Sequence, residues 1–170
     1  MKIFLTGMPG CGKSTFGRKA AGELEMEFID LDKEIVIQEG MLITDIFDSK
    51  GEDYFRQLES RLLKQISQIH DNFVMATGGG APCFFDNMDF MNEQGETVFI
   101  DTPIGIILER LSTHGISKRP LIKKMEQDNL YDGLAANLEQ RLPFYKKAKV
   151  ILSYKAALET DIIKYINSLG

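Results

Sequence analysis

The sequence lacks three features whose absence excludes whole classes of protein. It has only two cysteines, Cys11 and Cys83, too few for a disulfide framework or a cysteine-rich metal site. It has no apolar run near the roughly 20 residues that a membrane-spanning helix needs. It has no basic excess, because the net charge is -5 at pH 7, so no overall positive field attracts nucleic acid or anionic lipid. We therefore expect neither nucleic acid nor a membrane as a partner.

The composition that remains is typical of a globular protein. Apolar residues make up 44% of the chain and charged residues 26%, with no low-complexity tract. A length of 170 residues fits one domain with a substantial core. The N-terminal residues MKIFLTG are too few for a signal peptide. We expect a single domain, 1–170, in the cytoplasm.

Short apolar runs alternate with longer helical patterns along the chain. Such runs are typical of strands buried on both faces, and strand–helix alternation indicates a parallel sheet between two helical layers. The pattern predicts a three-layer α/β/α sandwich with a five-stranded parallel sheet. The predicted strands are 2–6, 27–30, 73–76, 96–100 and 150–153, and the predicted helices are 13–24, 53–70, 86–94, 104–111, 129–147 and 156–169. Residues 31–60 and 112–128 interrupt this alternation, and such insertions usually serve a ligand site.

Residues 7–15, GMPGCGKST, have the spacing of a phosphate-binding P-loop. Gly7 and Gly12 frame the loop, which follows a predicted strand and opens a predicted helix, the context that the motif requires. Backbone N–H groups and the helix N-terminus would surround phosphate oxygens. Lys13 would reach the β- and γ-phosphates, and Ser14 would bind Mg²⁺. The alternative is a glycine-rich turn without a ligand.

Other P-loop classes fit the remaining residues less well. Residues 48–51 match the DxxG of a GTPase by letter, but they follow the helical pattern ITDIF, and no NKxD occurs. A motor ATPase should end a strand in an acidic residue that helps to hold Mg²⁺. Here the strand FVMA runs into Thr77 and three glycines, which supply no carboxylate. Both classes are therefore disfavoured.

The second predicted strand ends in two carboxylates, in the sequence FIDLD. Alternate residues of an extended segment point the same way, so Asp30 and Asp32 can both face the P-loop. Asp30 would hold a metal-bound water. Asp32 would anchor a substrate hydroxyl or accept its proton. For Asp32 the alternative is a solvated turn or a helix N-cap.

Two further patterns require a choice between a structural and a functional role. Arg56 and Glu59 are i,i+3 neighbours on a predicted helix, and taken alone such a pair is commonly an exposed salt bridge. The three glycines 78–80 cost conformational entropy unless the backbone closely approaches another group. A substrate lying on backbone N–H groups would be one such group, and a tight turn is the alternative.

The complete set of motifs resembles the shikimate kinases. The order is GxxGxGKST, FIDLD, FR followed by E three residues later, GGG, RP and RxPxY, and it spans essentially the whole chain. Gluconate kinases share the first motif but not this set. The resemblance implies a P-loop kinase fold and transfer of the γ-phosphoryl group of ATP to the 3-hydroxyl of shikimate. It also implies Mg²⁺ as cofactor, and we expect a monomer. A kinase of another small polyol acid or nucleotide, and a nucleotide switch that signals through 112–124, are the alternatives.

The resemblance also implies roles for individual residues. Asp32 would bind the ring hydroxyls and act as the base, Arg56 and Arg141 would bind the substrate carboxylate, and Arg110 would stack on adenine. Residues 112–124 would form a lid, and residues 31–60 would form the substrate-binding segment. The expected catalytic residues are Asp32, Lys13 and Arg119, and the lid arginine Arg119 closes over the phosphates. The nucleotide would contact Gly10, Cys11, Gly12, Lys13, Ser14, Thr15, Arg110 and Arg119, and the substrate would contact Asp32, Arg56, Gly78, Gly79, Gly80 and Arg141.

Cys11 is a local variation within the phosphate-binding loop. A thiol at a helix N-terminus beside a lysine is often reactive, so the enzyme without nucleotide would be open to alkylation and ATP would protect it. The alternative is a thiol that packs away from the phosphates and never reacts.

Overall fold

The structure is a computed structural model that describes residues 1–114, 129–155 and 164. Its strands are β1 Lys2–Thr6, β2 Glu27–Asp30, β3 Phe73–Ala76, β4 Glu96–Asp101 and β5 Val150–Ser153. Its helices are α1 Lys13–Glu23, α2 Leu31–Glu39, α3 Ile43–Ile69, α4 Asn87–Gln94, α5 Ile104–His114 and α6 Leu130–Tyr145, with a 3₁₀ helix at Ala81–Cys83. No helix within these residues is long and apolar enough to cross a membrane.

The strands form one parallel sheet in the order β2-β3-β1-β4-β5. The central strand β1 is covered on both faces, because Phe4 points to one face and Ile3 and Leu5 to the other, and all three are fully buried. The predicted α/β/α sandwich with a five-stranded parallel sheet is therefore confirmed. Burial on both faces explains why the sequence shows continuous apolar runs here rather than alternation.

The largest difference from the predicted elements concerns α3. Helix α3 corresponds to the predicted helix 53–70, but it begins ten residues earlier, at Ile43. It also contains a break at Gly51, where φ is 81° and ψ is 171°. The segment before Gly51 is helical, so the DxxG letters at 48–51 do not follow a strand, as expected. The remaining predicted elements agree to within a few residues at each end, except that 156–169 lies outside the described residues apart from Lys164.

The carboxyl ends of the strands lie at one edge of the sheet, where open α/β sheets bind their ligands. The P-loop follows β1, α2 follows β2, and the glycine run follows β3. Two threonines hold these ends together. Thr77 donates a hydrogen bond to the carbonyl of Leu5 at 2.9 Å, and Thr102 donates one to the carbonyl of Cys11 at 3.0 Å. The loops that carry the predicted site residues are thus fixed to the buried sheet.

Candidate active site

The P-loop adopts a backbone that only glycine tolerates at its closing position. Gly12 has a φ of 110°, and a Cβ there would lie 2.5 Å from the ring of Phe16 and 3.1 Å from Nη1 of Arg110. Helix α1 begins immediately afterwards at Lys13, and no side chain caps its N-terminus. The N–H of Thr15 donates to the carbonyl of Gly12 at 3.0 Å. The N–H groups of Lys13 and Ser14 are therefore the ones that α1 offers to an anion, which the helix dipole also favours.

Lys13 is buried under this loop, with only 8% of its surface exposed. Its Nζ donates hydrogen bonds to the carbonyls of Gly7 at 2.8 Å and Met8 at 3.0 Å. These carbonyls partly offset the cost of burying the ammonium charge. The charge is thus held at the loop where phosphates would bind.

The oxygens of Ser14 and Asp30 lie together in the cleft that also contains Lys13. The Ser14 hydroxyl donates a hydrogen bond to Oδ2 of Asp30 at 2.9 Å. Nη2 of Arg18 lies 4.0 Å from the same carboxylate oxygen. The described residues contain no group of three or more histidine, cysteine or acidic side chains that could hold a metal alone. The Ser14 hydroxyl and the Asp30 carboxylate nevertheless suit Mg²⁺, because Mg²⁺ commonly takes one or two protein oxygens together with phosphates and water.

Asp32 lies in the first turn of α2, so the N-cap alternative for this residue is wrong. Asp30 occupies the N-cap position and makes no side-chain cap hydrogen bond there. The Asp32 carboxylate faces the glycine run, because a Cβ on Gly78 would lie 3.1 Å from its Oδ1 and would also collide with Oε1 of Glu59. Asp32, Glu59 and Gly78 therefore meet at one point of the site.

Arg56 is buried, with 5% of its surface exposed, so the exposed salt bridge considered from the sequence alone is not what forms. Its Nη1 donates to Oε2 of Glu59 at 2.8 Å, while Nε and Nη2 both donate to Oε1 of Glu52. A Cβ on Gly80 would lie 2.5 to 2.7 Å from Nη1, Nη2 and Cζ. The absence of a side chain at Gly80 therefore makes room for the tip of this guanidinium.

Glu59 is a site residue whose importance the sequence reasoning missed. It is 1% exposed, and its Oε1 is the one buried side-chain polar atom without a hydrogen-bond partner in the part of the chain that the structure describes. Burial raises the pKa of Glu59 to about 7, and the nearby Asp32 adds to this shift, whereas Arg56 and Arg141 oppose it. The short contact with Arg56 favours the ionised form, but burial outweighs it. The available signal was its position, because Phe55, Leu62 and Leu63 place it on the buried face of α3.

Helix α6 brings Arg141 and Tyr145 to the same place. Tyr145 is fully buried, stacks on Phe99 with ring centroids 5.0 Å apart, and donates a hydrogen bond to the carbonyl of Gly79. Burial raises the pKa of the Tyr145 hydroxyl, so it stays a donor. The motif RxPxY thus supplies a cation to the site and fixes the glycine run.

Arg110 lies beside the P-loop at the other end of the site. Its Nη1 donates to the carbonyl of Gly10 at 3.2 Å, and its Nη2 donates to the hydroxyl of Tyr154 at 2.9 Å. Cys11 is fully buried in the core, 3.7 Å from Nζ of Lys13, which favours the packing alternative for its thiol. Arg119 and most of the predicted lid lie outside the described residues.

A single cleft of about 830 Å³ brings these groups together. Its walls include P-loop residues, acidic residues from α2 and α3, the glycine run and three arginines. The predicted site residues among them, together with Glu59, include Lys13, Ser14, Asp30, Asp32, Arg56, Gly78, Gly79, Gly80, Arg110 and Arg141. Side chains from five separate segments therefore face one cleft that contains the P-loop.

The strand order, with a P-loop between the central strand and the first helix, defines a P-loop kinase fold. The chain matches the family model for shikimate kinase over residues 9–169. It is 40% identical to the shikimate kinase of Bacteroides fragilis over 167 residues, which cover 95% of this chain and 92% of the relative. The chain therefore belongs to the shikimate kinase family.

Solved structures of shikimate kinases are also similar to this chain. The shikimate kinase of Bacteroides thetaiotaomicron superposes with a TM-score of 0.86 at 35% identity, covering 96% of this chain and 98% of that one. The shikimate kinase of Acinetobacter baumannii, solved in complex with shikimate, gives a TM-score of 0.87 at 32% identity, covering 99% of this chain and 95% of that one.

Proposed function

We propose that this protein is an ATP-dependent shikimate kinase, which transfers the γ-phosphoryl group of ATP to the 3-hydroxyl of shikimate. Beyond family membership, one observation of the structure carries the proposal. The same cleft contains a phosphate-binding loop and two arginines, Arg56 and Arg141, with the carboxylate of Asp32 also facing it. Such a cleft suits a phosphate donor together with a small hydroxylated carboxylic acid.

The nucleotide half of the site follows from the P-loop. The N–H groups of residues 10–15 would surround the phosphates, and Lys13 would exchange its loop carbonyls for phosphate oxygens. Ser14, and Asp30 through a water, would hold Mg²⁺, which neutralises charge on the phosphates when bound. Phosphoryl transfer has a loose transition state, so positioning and positive charge supply most of the catalysis. Arg110 would contact the adenine.

The acceptor half follows from the carboxylates and the two arginines. Arg56 and Arg141 would bind the shikimate carboxylate, since a guanidinium presents a planar pair of donors to a planar anion. Asp32 would bind the ring hydroxyls and accept the proton of the 3-hydroxyl. The backbone of Gly79 and Gly80 would contact the ring, and Gly78 leaves the space beside Asp32 open.

Several expectations remain predictions. These are the closure of Arg119 over the phosphates, the boundaries of the lid at 112–124 and of the substrate-binding segment at 31–60, the monomeric state and the cytoplasmic location. A lid would exclude water from the cleft and suppress hydrolysis of ATP.

A parallel assay tests the function. ADP release is measured with ATP and Mg²⁺ and either shikimate, gluconate or a nucleoside monophosphate as acceptor, and Lys13→Ala serves as the inactive control. We expect release with shikimate only. Activity with another acceptor would favour a different small-molecule kinase. Slow release that no acceptor stimulates would favour a nucleotide switch.

A further inference from the structure

Two aromatic rings lie against the guanidinium of Arg56. The Cζ atom of Arg56 is 5.1 Å from the ring centroid of its neighbour Phe55 and 4.6 Å from that of Phe84. Phe84 comes from a different segment, the turn that follows the 3₁₀ helix Ala81–Cys83. It does not belong to the described residues that line the cleft, so it contacts the arginine from outside the cleft.

The turn that carries Phe84 has a constrained backbone. The next two residues, Phe85 and Asp86, have φ values of 49° and 55°, in the left-handed region that residues with a Cβ rarely adopt. Two consecutive residues in this region persist only where surrounding contacts impose the conformation. The position of the Phe84 ring is therefore set by the local structure.

Buried hydrogen bonds join this turn to α3. Ser60, one helical turn after Arg56, donates a hydrogen bond to Oδ1 of Asn87 at 2.7 Å. The Nδ2 of Asn87 donates in turn to the carbonyl of Ala81 at 2.9 Å. Ser60 and Asn87 are both buried. The turn and the arginine are thus held on one helix through a buried hydrogen-bonded pair, which keeps the ring close to the guanidinium.

A ring beside this guanidinium changes how the arginine binds an anion. It supplies a cation–π contact and removes water from the guanidinium. A cation in a less polar environment interacts more strongly with a carboxylate. Two of its edges are already engaged by Glu52 and Glu59, so the ring further limits the orientations that the tip of Arg56 can adopt.

We propose that Phe84 is a positioning residue for the acceptor: its ring holds and partly dehydrates the guanidinium of Arg56, and thereby strengthens binding of the substrate carboxylate. This inference rests on the proposed role of Arg56 in binding that carboxylate. Phe84 does not line the cleft, so it acts on the acceptor only through Arg56. Binding of ATP and the rate of transfer at saturation do not depend on it.

Steady-state kinetics of three variants test the proposal. Phe84→Ala removes the ring, Phe84→Leu keeps apolar bulk without a ring face, and Phe85→Ala is the matched control at the exposed neighbouring position. We expect Phe84→Ala to raise the KM for shikimate roughly 3- to 30-fold, with kcat and the KM for ATP within about twofold of wild type. The KM for shikimate of Phe84→Leu should lie between those of wild type and Phe84→Ala. The KM for shikimate of Phe85→Ala should equal that of wild type.

A double-mutant cycle separates action through Arg56 from a general structural effect. In an Arg56→Ala background, Phe84→Ala should raise the KM for shikimate no further. A competitive inhibitor in which the carboxylate is reduced to an alcohol should bind wild type and Phe84→Ala equally well. An unchanged KM in Phe84→Ala, a wild-type KM in Phe84→Leu, an equal rise in Phe85→Ala, or additive effects in the cycle would each overturn the proposal. A normal KM in Arg56→Ala alone would instead overturn the assignment of Arg56.

Discussion

Nη1 of Arg56 donates a hydrogen bond to Oε2 of Glu59 over 2.8 Å, and both side chains are almost completely buried beside the cleft. In the proposed function this pair matters because Arg56 would present its remaining donors to a second carboxylate, that of the acceptor. Glu59 and Glu52 hold two edges of the guanidinium, and Gly80 leaves space at its tip. A bound acceptor would therefore place a further negative charge near Glu59.

The first prediction concerns the pH dependence of stability that Glu59 causes. Because its pKa is raised to about 7, folded Glu59 keeps a proton that the unfolded chain loses near pH 4.5. The folded state then binds more protons, so the free energy of unfolding falls as pH rises from about 4.5 to about 7. Glu59→Gln lacks this dependence. The difference in the free energy of unfolding between wild type and Glu59→Gln should therefore change by about 1–3 kcal/mol across that range.

Urea unfolding of wild type and Glu59→Gln between pH 4.5 and pH 8 measures this difference. All other titrating groups are common to both proteins, including Asp32, Arg56 and Arg141, which surround Glu59. A difference that stays constant with pH would show that Glu59 titrates near its ordinary pKa.

The second prediction uses the close approach of Gly80 to Arg56. In Gly80→Ala the new Cβ would lie within 2.7 Å of the guanidinium and displace it. We expect the KM for shikimate to rise about tenfold or more, while the KM for ATP stays near that of wild type. Gly22→Ala in α1 is the matched control, since a Cβ there meets no atom within 4 Å. Equal kinetics for both variants would contradict the prediction.

The third prediction concerns the binding of the acceptor carboxylate. Arg56→Ala and Arg141→Ala should each raise the KM for shikimate strongly and leave ATP binding little changed. Losing one partner of a buried charge pair costs about 2–5 kcal/mol, which corresponds to roughly 30-fold or more in affinity. Arg61→Ala, an exposed arginine on the same helix as Arg56, is the control. Normal shikimate kinetics in both test variants would remove the two arginines from the carboxylate site.

The fourth prediction separates the two acids of FIDLD. Asp32→Asn should nearly abolish turnover while ATP and shikimate still bind, because the amide cannot accept the hydroxyl proton. Asp30→Asn should instead raise the Mg²⁺ concentration needed for half-maximal rate, because it weakens the oxygen pair with Ser14. Binding is measured by calorimetry and the metal requirement by Mg²⁺ titration. Exchanged phenotypes would reverse the assignment of the two residues.

The fifth prediction concerns Cys11, whose thiol is fully buried in the core. Iodoacetamide should inactivate the folded wild type and Cys11→Ser at the same slow rate, with or without ATP and Mg²⁺. Cys83 should react slowly as well, because burial raises the pKa of its thiol to about 11. Both proteins should be alkylated readily after unfolding. Faster inactivation of wild type, relieved by ATP, would mean that the loop opens and exposes Cys11.

The positions of the strands could be predicted almost completely from the sequence. The only difference in their bounds is at the end of β4, which continues one residue further, to Asp101. A strand buried on both faces produces a short, continuous apolar run, and this signal is local. Helix α3 was predicted less well. Gly51 reads as a helix breaker in the sequence, whereas the structure continues the helix on both sides of a single non-helical residue.

The sequence by itself determined the fold class, because strand–helix alternation shows in the order of local patterns along the chain. It also determined the P-loop and the two acids at and just after the end of β2, because each depends on spacing within one short segment. Only the tertiary structure decided that Arg56 and Glu59 are buried together and that Phe84 lies against the arginine. It also decided that Tyr145 holds Gly79. The contacts of Phe84 and Tyr145 join segments far apart in the chain. For Arg56 and Glu59, i,i+3 spacing alone does not reveal whether a charged pair faces solvent or the core. The pair is buried because α3 packs against the glycine run, which places the face carrying Arg56 and Glu59 inside the cleft.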